Sequence, residues 1–195
     1  IREVDMRYNV AQLLKGPTGG QRRYEVKEDI EDLDPDLKPL APLEGSVTLM
    51  RTSQGILVTG KLHTVIEGEC RRCLEPAKVE VDLELEEEFY PTVAIAESPV
   101  DPIPEDEYDE ALTIDEHHML DLSEVVRQGL WLATPMDALC RLDCAGLCPR
   151  CGGNRNLGEC TCEQDEIDPR WAVLQSLLSA KDSGVTETDS DERSE

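Results

Sequence analysis

The chain of 195 residues is strongly acidic, with 43 Asp and Glu against 19 Lys and Arg and a formal net charge of −24 at pH 7. Such a charge repels nucleic acid at long range, which excludes a general RNA- or DNA-binding protein and favours basic protein partners. No apolar run approaches the roughly 20 residues that a membrane span needs, and the polar start predicts no secretion signal. We therefore expect a cytoplasmic protein without a membrane partner, whose cysteines stay reduced.

The first 45 residues predict a short helix, an edge strand and a connector. Helical spacing of apolar residues covers positions 10–15 and stops at Gly16, which is followed by proline. Weak alternation over 22–30 favours an edge strand. The segment 32–45 contains three prolines, which favours an extended connector.

Three long strands are predicted next. Residues 46–70 have the pattern of two strands joined by a turn at 53–55. Residues 78–90 alternate between apolar and acidic side chains, which predicts one buried face and one face in water. The expected buried face comprises Ile56, Val58, Leu62, Ile66, Val79, Val81, Leu83, Leu85 and Phe89. The acidic face comprises Glu80, Asp82, Glu84, Glu86 and Glu88.

The second half of the chain predicts an acidic loop at 94–111, two helices and an acidic tail. The first helix begins near Asp121 or Ser123, either of which could cap it, and ends before Pro135. Its apolar stripe comprises Leu122, Val125, Val126, Leu130 and Trp131. A closing helix follows residue 168 and carries Trp171, Leu174, Leu177 and Leu178 on one side. Both tryptophans are expected in the core, and His117 and His118 at the surface.

Eight cysteines stand at spacings typical of metal ligands. A Cys-x2-Cys pair in a tight turn directs both sulfurs at one ion, and the glycines after Cys151 allow the backbone to bend there. Chain proximity favours a local quartet of Cys148, Cys151, Cys160 and Cys162. The remaining quartet is Cys70, Cys73, Cys140 and Cys144. Four thiolates leave no open position on zinc, so we expect one or two structural ions, the local quartet being the safer assignment.

Two other chemistries remain open for the same cysteines. Arg71 and Arg72 lie between Cys70 and Cys73 and could lower a thiol pKa, as a redox site requires. Cysteine quartets also bind iron–sulfur clusters. Structural disulfides are least favoured, because no secretion signal is predicted. Four arginines beside the cysteines either offset thiolate charge or contact phosphate, namely Arg71, Arg72, Arg150 and Arg155.

Motifs of known catalytic and nucleotide-binding sites are absent from the sequence. It contains no Walker loop, GxGxxG, HExxH or GxSxG pattern. We therefore expect no enzyme activity and no small-molecule substrate. An RNA-processing nuclease built on Glu105, Asp106 and Asp109 is the least supported alternative.

The predicted fold class is α+β, with an antiparallel, partly closed β-sheet, a few flanking helices and a zinc-ribbon-like C-terminal appendage. The predicted core domain covers residues 1–139 and includes the acidic loop at 94–111. Residues 140–180 form the zinc-ribbon-like segment and closing helix. Residues 181–195 are predicted to be a disordered acidic tail.

Four segments in order resemble one known family. They are "YNVAQLLKGPTGGQRRYEV", "GECRRCLEP", "CRLDCAGLCPRCGGNRN" and "DPRWAVLQSLL". Together they resemble the YceD family, the large ribosomal RNA subunit accumulation proteins, from about Tyr8 to Leu178. The family's recurrent cysteine pair matches Cys70 and Cys73, and its GLCPxCG segment matches residues 146–152.

The resemblance implies a role in accumulation of 23S ribosomal RNA and assembly of the large ribosomal subunit, with no established catalytic activity. Members are commonly encoded beside a small, basic large-subunit ribosomal protein. Two contacts fit this role. A basic ribosomal protein could lie on the acidic strand face at Glu80, Glu84 and Glu86, or 23S rRNA could meet the arginines near the cysteines. The net charge favours the protein partner.

Overall fold

The computed structural model describes residues 6–93 and 109–162. The described strands are β1 Arg7–Asn9, β2 Gln21–Glu28, β3 Leu43–Arg51, β4 Ile56–Glu69, β5 Pro76–Pro91, β6 Thr113–Ile114 and β7 Met119–Asp121. The α-helices are α1 Ala11–Lys15 and α2 Ser123–Ala133, and single 3₁₀ turns form at Glu110–Leu112 and Arg155–Leu157. The closing helix with Trp171, the tail at 181–195, most of the acidic loop, and Glu105 and Asp106 lie outside the described residues.

The chain divides into two compact units, Ile1–Leu147 and Cys148–Glu195. The first unit contains the whole sheet together with Cys140 and Cys144. The prediction from the sequence placed those two cysteines in the segment 140–180. The second unit contains the other cysteines of the second half of the chain.

The sheet has seven strands in the order β1-β7-β6-β5-β4-β3-β2 and curls into a half-barrel. The predicted hairpin with its turn at 53–55 is confirmed, and the strand predicted at 22–30 lies at the sheet edge as β2. The prediction of an antiparallel sheet is only partly right, because the sheet is mixed. β6 pairs parallel to β5, with Tyr90 opposite Thr113 and Pro91 opposite Ile114. β6 therefore lies beside the C-terminal end of β5 and runs in the same direction as β5.

The core lies on the inner face of the half-barrel, where the period-two pattern places it. All predicted inward residues of β4 and β5 are buried, and Phe89, the only phenylalanine, is fully enclosed. α2 covers this face with Val125, Val126 and Leu130, all of which are buried. Burial of these apolar side chains is the main stabilising contribution to the sheet unit.

Trp131 does not belong to the core, so that prediction was wrong. Its side chain is 44% exposed, and its Nε1–H donates to Asp34 Oδ2 at 3.1 Å. The buried Asp34 carboxylate also accepts from Arg127 Nη1 at 3.1 Å. The polar edge of the indole therefore links the connector before β3 to α2. The position of Trp131 on the apolar stripe does not indicate this contact.

His117 is exposed, as predicted, whereas His118 is half-buried in a tight turn with a φ of 61°. Asp121 Oδ1 accepts from the Ser123 amide at 2.8 Å at the start of α2.

Among the residues that the structure describes, no helix has the length and apolar character needed to cross a membrane.

Candidate metal centres and acidic surface

The first cysteine cluster joins parts of the sheet unit that are far apart in sequence. Cys70 and Cys73 lie in the turn between β4 and β5, and Cys140 and Cys144 lie in the segment after α2. The Sγ atoms of Cys70 and Cys144 are 3.8 Å apart, and those of Cys73 and Cys140 are 3.6 Å apart. All four sulfurs lie within 4.8 Å of one another. These separations exceed the roughly 2.05 Å of a disulfide, so the sulfurs are not bonded to each other.

The second cluster is local and belongs to the second unit. Cys148, Cys151, Cys160 and Cys162 also bring their sulfurs within 4.8 Å of one another. Cys148 is buried, whereas Cys151 and Cys162 are exposed. The structure thus gathers the eight cysteines into the two quartets expected from the sequence.

The sulfur separations fit a single tetrahedral ion in the first cluster. A metal–sulfur bond of about 2.3 Å gives a tetrahedron whose sulfur–sulfur edges are about 3.8 Å long. The separations of 3.6 and 3.8 Å in the first cluster agree with that edge length. Each cluster could therefore hold a metal ion through four thiolates.

The two Cys-x2-Cys turns share one backbone geometry. The Leu74 amide donates to the Cys70 carbonyl at 2.9 Å, and the Gly152 amide donates to the Cys148 carbonyl at 2.8 Å. Both donors are left-handed, with φ of 63° at Leu74 and 72° at Gly152. Glycine adopts this conformation freely, but a leucine does so at a cost. The turn at Cys70 therefore has the same backbone geometry as the turn at Cys148, although leucine and not glycine occupies its left-handed position.

Backbone amides supply positive charge to the first sulfur of each turn. The amide of Cys140, together with those of Arg72 and Cys73, lowers the pKa of Cys70 to about 6. The amides of Cys151 and Arg150 lower the pKa of Cys148 to about 6. Hydrogen bonds to a thiolate favour its charged form, and metal coordination requires that form.

One of the later sulfurs of each cluster behaves in the opposite way. Burial, reinforced by the Cys73 thiol, raises the pKa of Cys140 to about 12. The thiols of Cys151 and Cys160 raise the pKa of Cys162 to about 12. Crowded sulfurs cannot all ionise without a counter-charge. A bound cation would supply that charge, which is the electrostatic setting of a metal site.

Two further residues shape the cysteine regions without being ligands. The Asn154 side chain is buried, and its Oδ1 accepts from the Asn156 backbone amide at 3.0 Å, while the Asn154 backbone amide donates to Glu159 Oε2 at 3.0 Å. Leu74 completes the Cys70 turn. Neither role was predicted from the sequence. An asparagine soon after a glycine pair was the only sequence signal for the first of them.

The arginines beside the first cluster make local contacts. Arg72 Nη1 donates to the Cys144 carbonyl at 3.0 Å, and Arg71 Nη1 lies 3.5 Å from Asp137 Oδ2. Arg72 therefore stabilises the segment that carries the last ligand candidate. Arg155 belongs to the 3₁₀ turn of the second unit, next to Asn154. These contacts favour the structural interpretation of Arg71 and Arg72 over a contact with RNA.

The acidic face predicted on β5 is exposed, and Lys61 neutralises one of its carboxylates. Lys61 Nζ lies 2.5 Å from Glu84 Oε1, and His63 Nδ1 lies 2.7 Å from Asp82 Oδ1, both across the β4–β5 pair. Three exposed glutamates of β5 have no cationic partner among residues 6–93 and 109–162, namely Glu80, Glu86 and Glu87. The uncompensated charge therefore lies at the two ends of the acidic row.

Fold and cysteine geometry together define a curled β-sheet protein with two four-cysteine clusters. The profile of the family described as "Large ribosomal RNA subunit accumulation protein YceD" matches residues 58–178. The match covers more than half of the chain, including β5, α2 and all eight cysteines. The chain belongs to the YceD family.

Individual relatives agree with this assignment. An uncharacterised protein of Mycobacterium tuberculosis is 37% identical over 146 residues, which cover 71% of this chain and 63% of that protein. A plant relative is 27% identical over 157 residues, covering 67% of this chain and 52% of that protein. It is the "Large ribosomal RNA subunit accumulation protein YCED homolog 1, chloroplastic" of Zea mays. The chain thus spans less than two thirds of the length of these relatives. No solved structure matches it.

Proposed function

We propose that the protein is a non-catalytic cytoplasmic factor that supports accumulation of 23S ribosomal RNA and assembly of the large ribosomal subunit. The family match over residues 58–178 carries this proposal, because the family is described by its effect on that RNA. The name of the maize relative states the same effect. The eight unbridged cysteines are consistent with a reducing compartment such as the cytoplasm.

The partner that fits the surface is a basic large-subunit ribosomal protein. Free ribosomal proteins of this kind carry dense positive charge, and the outer face of β5 offers Glu80 and Glu86 without internal cations to neutralise them. RNA is the weaker candidate, because phosphate contacts supply most non-specific affinity and this chain has a net charge of −24. The protein would hold its partner until the partner joins the RNA.

We further propose one structural zinc ion in each cysteine cluster. The sulfur separations of 3.6 and 3.8 Å in the first cluster support zinc there, and the Cys148 cluster has the same four-thiol donor set. Four thiolates fill the coordination shell, so zinc would link chain segments rather than activate water. In the first cluster it would fasten the β4–β5 turn to the segment after α2.

A thiol-redox or iron–sulfur protein is the second candidate, and the cysteines themselves support it. Four thiolates bind iron as well as zinc, and the lowered pKa of Cys70 is a property shared with reactive thiols. The two candidates differ in measurable ways. An iron–sulfur protein is coloured and contains iron, and a redox protein oxidises its cysteine pairs reversibly.

Affinity capture of the tagged, metal-replete protein tests the main proposal. Bound RNA, bound protein and metal content are determined on the same sample at low and moderate salt. We expect enrichment of a basic large-subunit protein or a precursor particle, with two zinc ions per chain. A sample that lacks ribosomal material but contains iron or oxidised cysteine pairs would favour the redox alternative.

A further inference from the structure

β5 has one free edge along most of its length. On one side it pairs with β4 throughout, from Glu69 opposite Pro76 to Ile56 opposite Phe89. On the other side it pairs with β6 only at Tyr90 and Pro91. Within the described part of the chain, no strand lies against this side of β5 over residues 76–89. Alternate residues of a strand direct their N–H and C=O groups to such an edge, which makes it a template for another strand.

A groove of about 480 Å³ runs along this free edge. Its lining includes five consecutive residues of β5, positions 83–87. Successive side chains of a strand point to opposite faces, so a groove that contacts all five follows the strand edge rather than one face. The far wall is formed by α2, which contributes Val125, Gly129 and Leu132, together with the 3₁₀ turn at Glu110–Leu112.

The wall formed by α2 is apolar and accessible. Leu132 is 88% exposed although it lies on the helix that packs against β5. Gly129 allows the close approach of helix and strand, because an added Cβ would lie 2.7 Å from Leu83 Cδ1. An extended chain beside β5 would therefore find apolar surface on the side of α2.

The opposite side of the groove is acidic. Glu84 and Glu86, on the outer face of β5, line it, and Glu87 lines the groove from the other face of the strand; of the three, only Glu84 has a cation partner in the described structure, Lys61. If two copies of this chain paired through their β5 edges, like charges would face each other, which destabilises strand pairs. A strand that carries Lys or Arg would instead gain from the same carboxylates. The charge pattern thus selects a basic partner over a second copy.

We propose that this groove binds an extended, basic segment of a partner protein as an additional strand on β5. Side chains of the added strand alternate, so apolar residues face Leu132 while Lys or Arg residues face Glu86. Main-chain hydrogen bonds to β5 provide affinity, and the alternation provides specificity. The inference rests on the proposed basic protein partner and narrows its contact to the free edge of β5.

Peptide binding to the full, zinc-loaded chain tests the proposal. The probe is a fluorescent peptide of about nine residues, an ordinary strand length, in which Lys or Arg alternates with Val. A control peptide has the same composition with its valines grouped together. We expect the alternating peptide to bind about tenfold more tightly and to protect β5 amides within 79–87 from hydrogen exchange. N-methylation of the alternate peptide amides that face β5 should abolish binding. N-methylation of the amides between them, which face away from β5, should leave binding unchanged.

Matched variants separate the groove from general charge attraction. Exchanging Glu86 and Glu87 for Lys should weaken binding about tenfold, since two attractions become repulsions. The control exchanges Glu31 and Asp32 for Lys, which makes the same charge change in an exposed turn away from the groove. Leu132→Ser should weaken binding, whereas Leu142→Ser, at a side chain that is 92% exposed, should not.

Three results would overturn the inference. Equal affinity for the two peptides, or equal loss in the charge control, would show attraction by net charge alone. Absence of binding to the full chain would show that the edge is not available to a partner. Protection confined to strands other than β5 would place the contact elsewhere. None of these results depends on ribosomal RNA levels, so this inference and the proposed function can fail independently.

Discussion

The left-handed residue that follows each Cys-x2-Cys pair offers a sensitive test of the metal-site geometry. Gly152 has a φ of 72°, and a Cβ added there would meet nothing within 4 Å. Gly152→Ala therefore changes backbone strain alone. An alanine in this conformation costs about 1–2 kcal/mol, and the reduced entropy of the unfolded chain returns about 0.4–1 kcal/mol. The net destabilisation is about 0.5–1 kcal/mol, which lowers metal affinity about two- to fivefold where binding and local folding are coupled.

Leu74 stands at the equivalent place in the first cluster, and the same backbone effect can be measured there by comparing Leu74→Gly with Leu74→Ala. Leu74 is 57% exposed, so both variants lose the apolar contacts of its buried part, and their difference isolates the backbone. Glycine avoids about 1–2 kcal/mol of left-handed strain and costs about 0.5–1 kcal/mol of entropy. We expect Leu74→Gly to bind metal at the first cluster about two- to fivefold more tightly than Leu74→Ala.

Chelator competition with zinc release as the readout measures both changes. Zinc should be released in two steps, one from each cluster. The step that disappears in a Cys151→Ser variant belongs to the second cluster, and the other step to the first. Gly19→Ala is the matched control, since Gly19 in the sheet unit is also left-handed, with a φ of 87° and nothing within 4 Å of an added Cβ, and lies far along the chain from the cysteines. Equal affinity of Leu74→Gly and Leu74→Ala would refute the shared geometry. So would an effect of Gly19→Ala on metal affinity as large as that of Gly152→Ala.

Two further predictions concern the sheet unit. Hydrogen bonds from Arg127 lower the pKa of Glu124 to about 2, so its stabilising contribution is present above the unfolded value of about 4.3 and is lost as the pH falls through about 2. Glu124→Gln should therefore be less stable than the parent to denaturant at neutral pH, with a difference that narrows on acidification; a constant difference would contradict this. Gly55→Ala should destabilise by about 1–3 kcal/mol, because the added Cβ would lie 2.0 Å from the Phe89 carbonyl oxygen. An unchanged thermal midpoint would show that the turn is not packed against β5.

The parts of the structure that the sequence predicted are those with a strong local signal. The alternation over residues 78–90 specifies which face of β5 is buried, since a one-residue shift would expose every apolar side chain. Cysteine spacing likewise predicted the two quartets, because Cys-x2-Cys turns and short separations limit which sulfurs can meet. The alternation and the local quartet do not depend on distant parts of the chain, whereas the quartet that contains Cys70 was assigned as the four cysteines that remained.

The features that the sequence did not predict depend on long-range packing. β6 has two residues, too few for any periodicity, and its parallel pairing joins residues of β5 and β6 that are 23 positions apart in sequence. The exposure of Trp131 depends on a hydrogen bond to Asp34, which is 97 residues away in sequence. The left-handed Leu74 is imposed by the cysteine turn against the preference of leucine, and no residue-type signal indicates it.

The ratio of 23S to 16S ribosomal RNA in cells depleted of the protein is the most direct test of the proposed function. Depletion should lower this ratio and the amount of large subunits in gradient profiles, and re-expression of the intact chain should restore both. A variant with Glu86 and Glu87 exchanged for Lys should restore them less well than the Glu31 and Asp32 control. An unchanged ratio and an unchanged profile after complete depletion would contradict the claim that the protein supports accumulation of the large-subunit RNA.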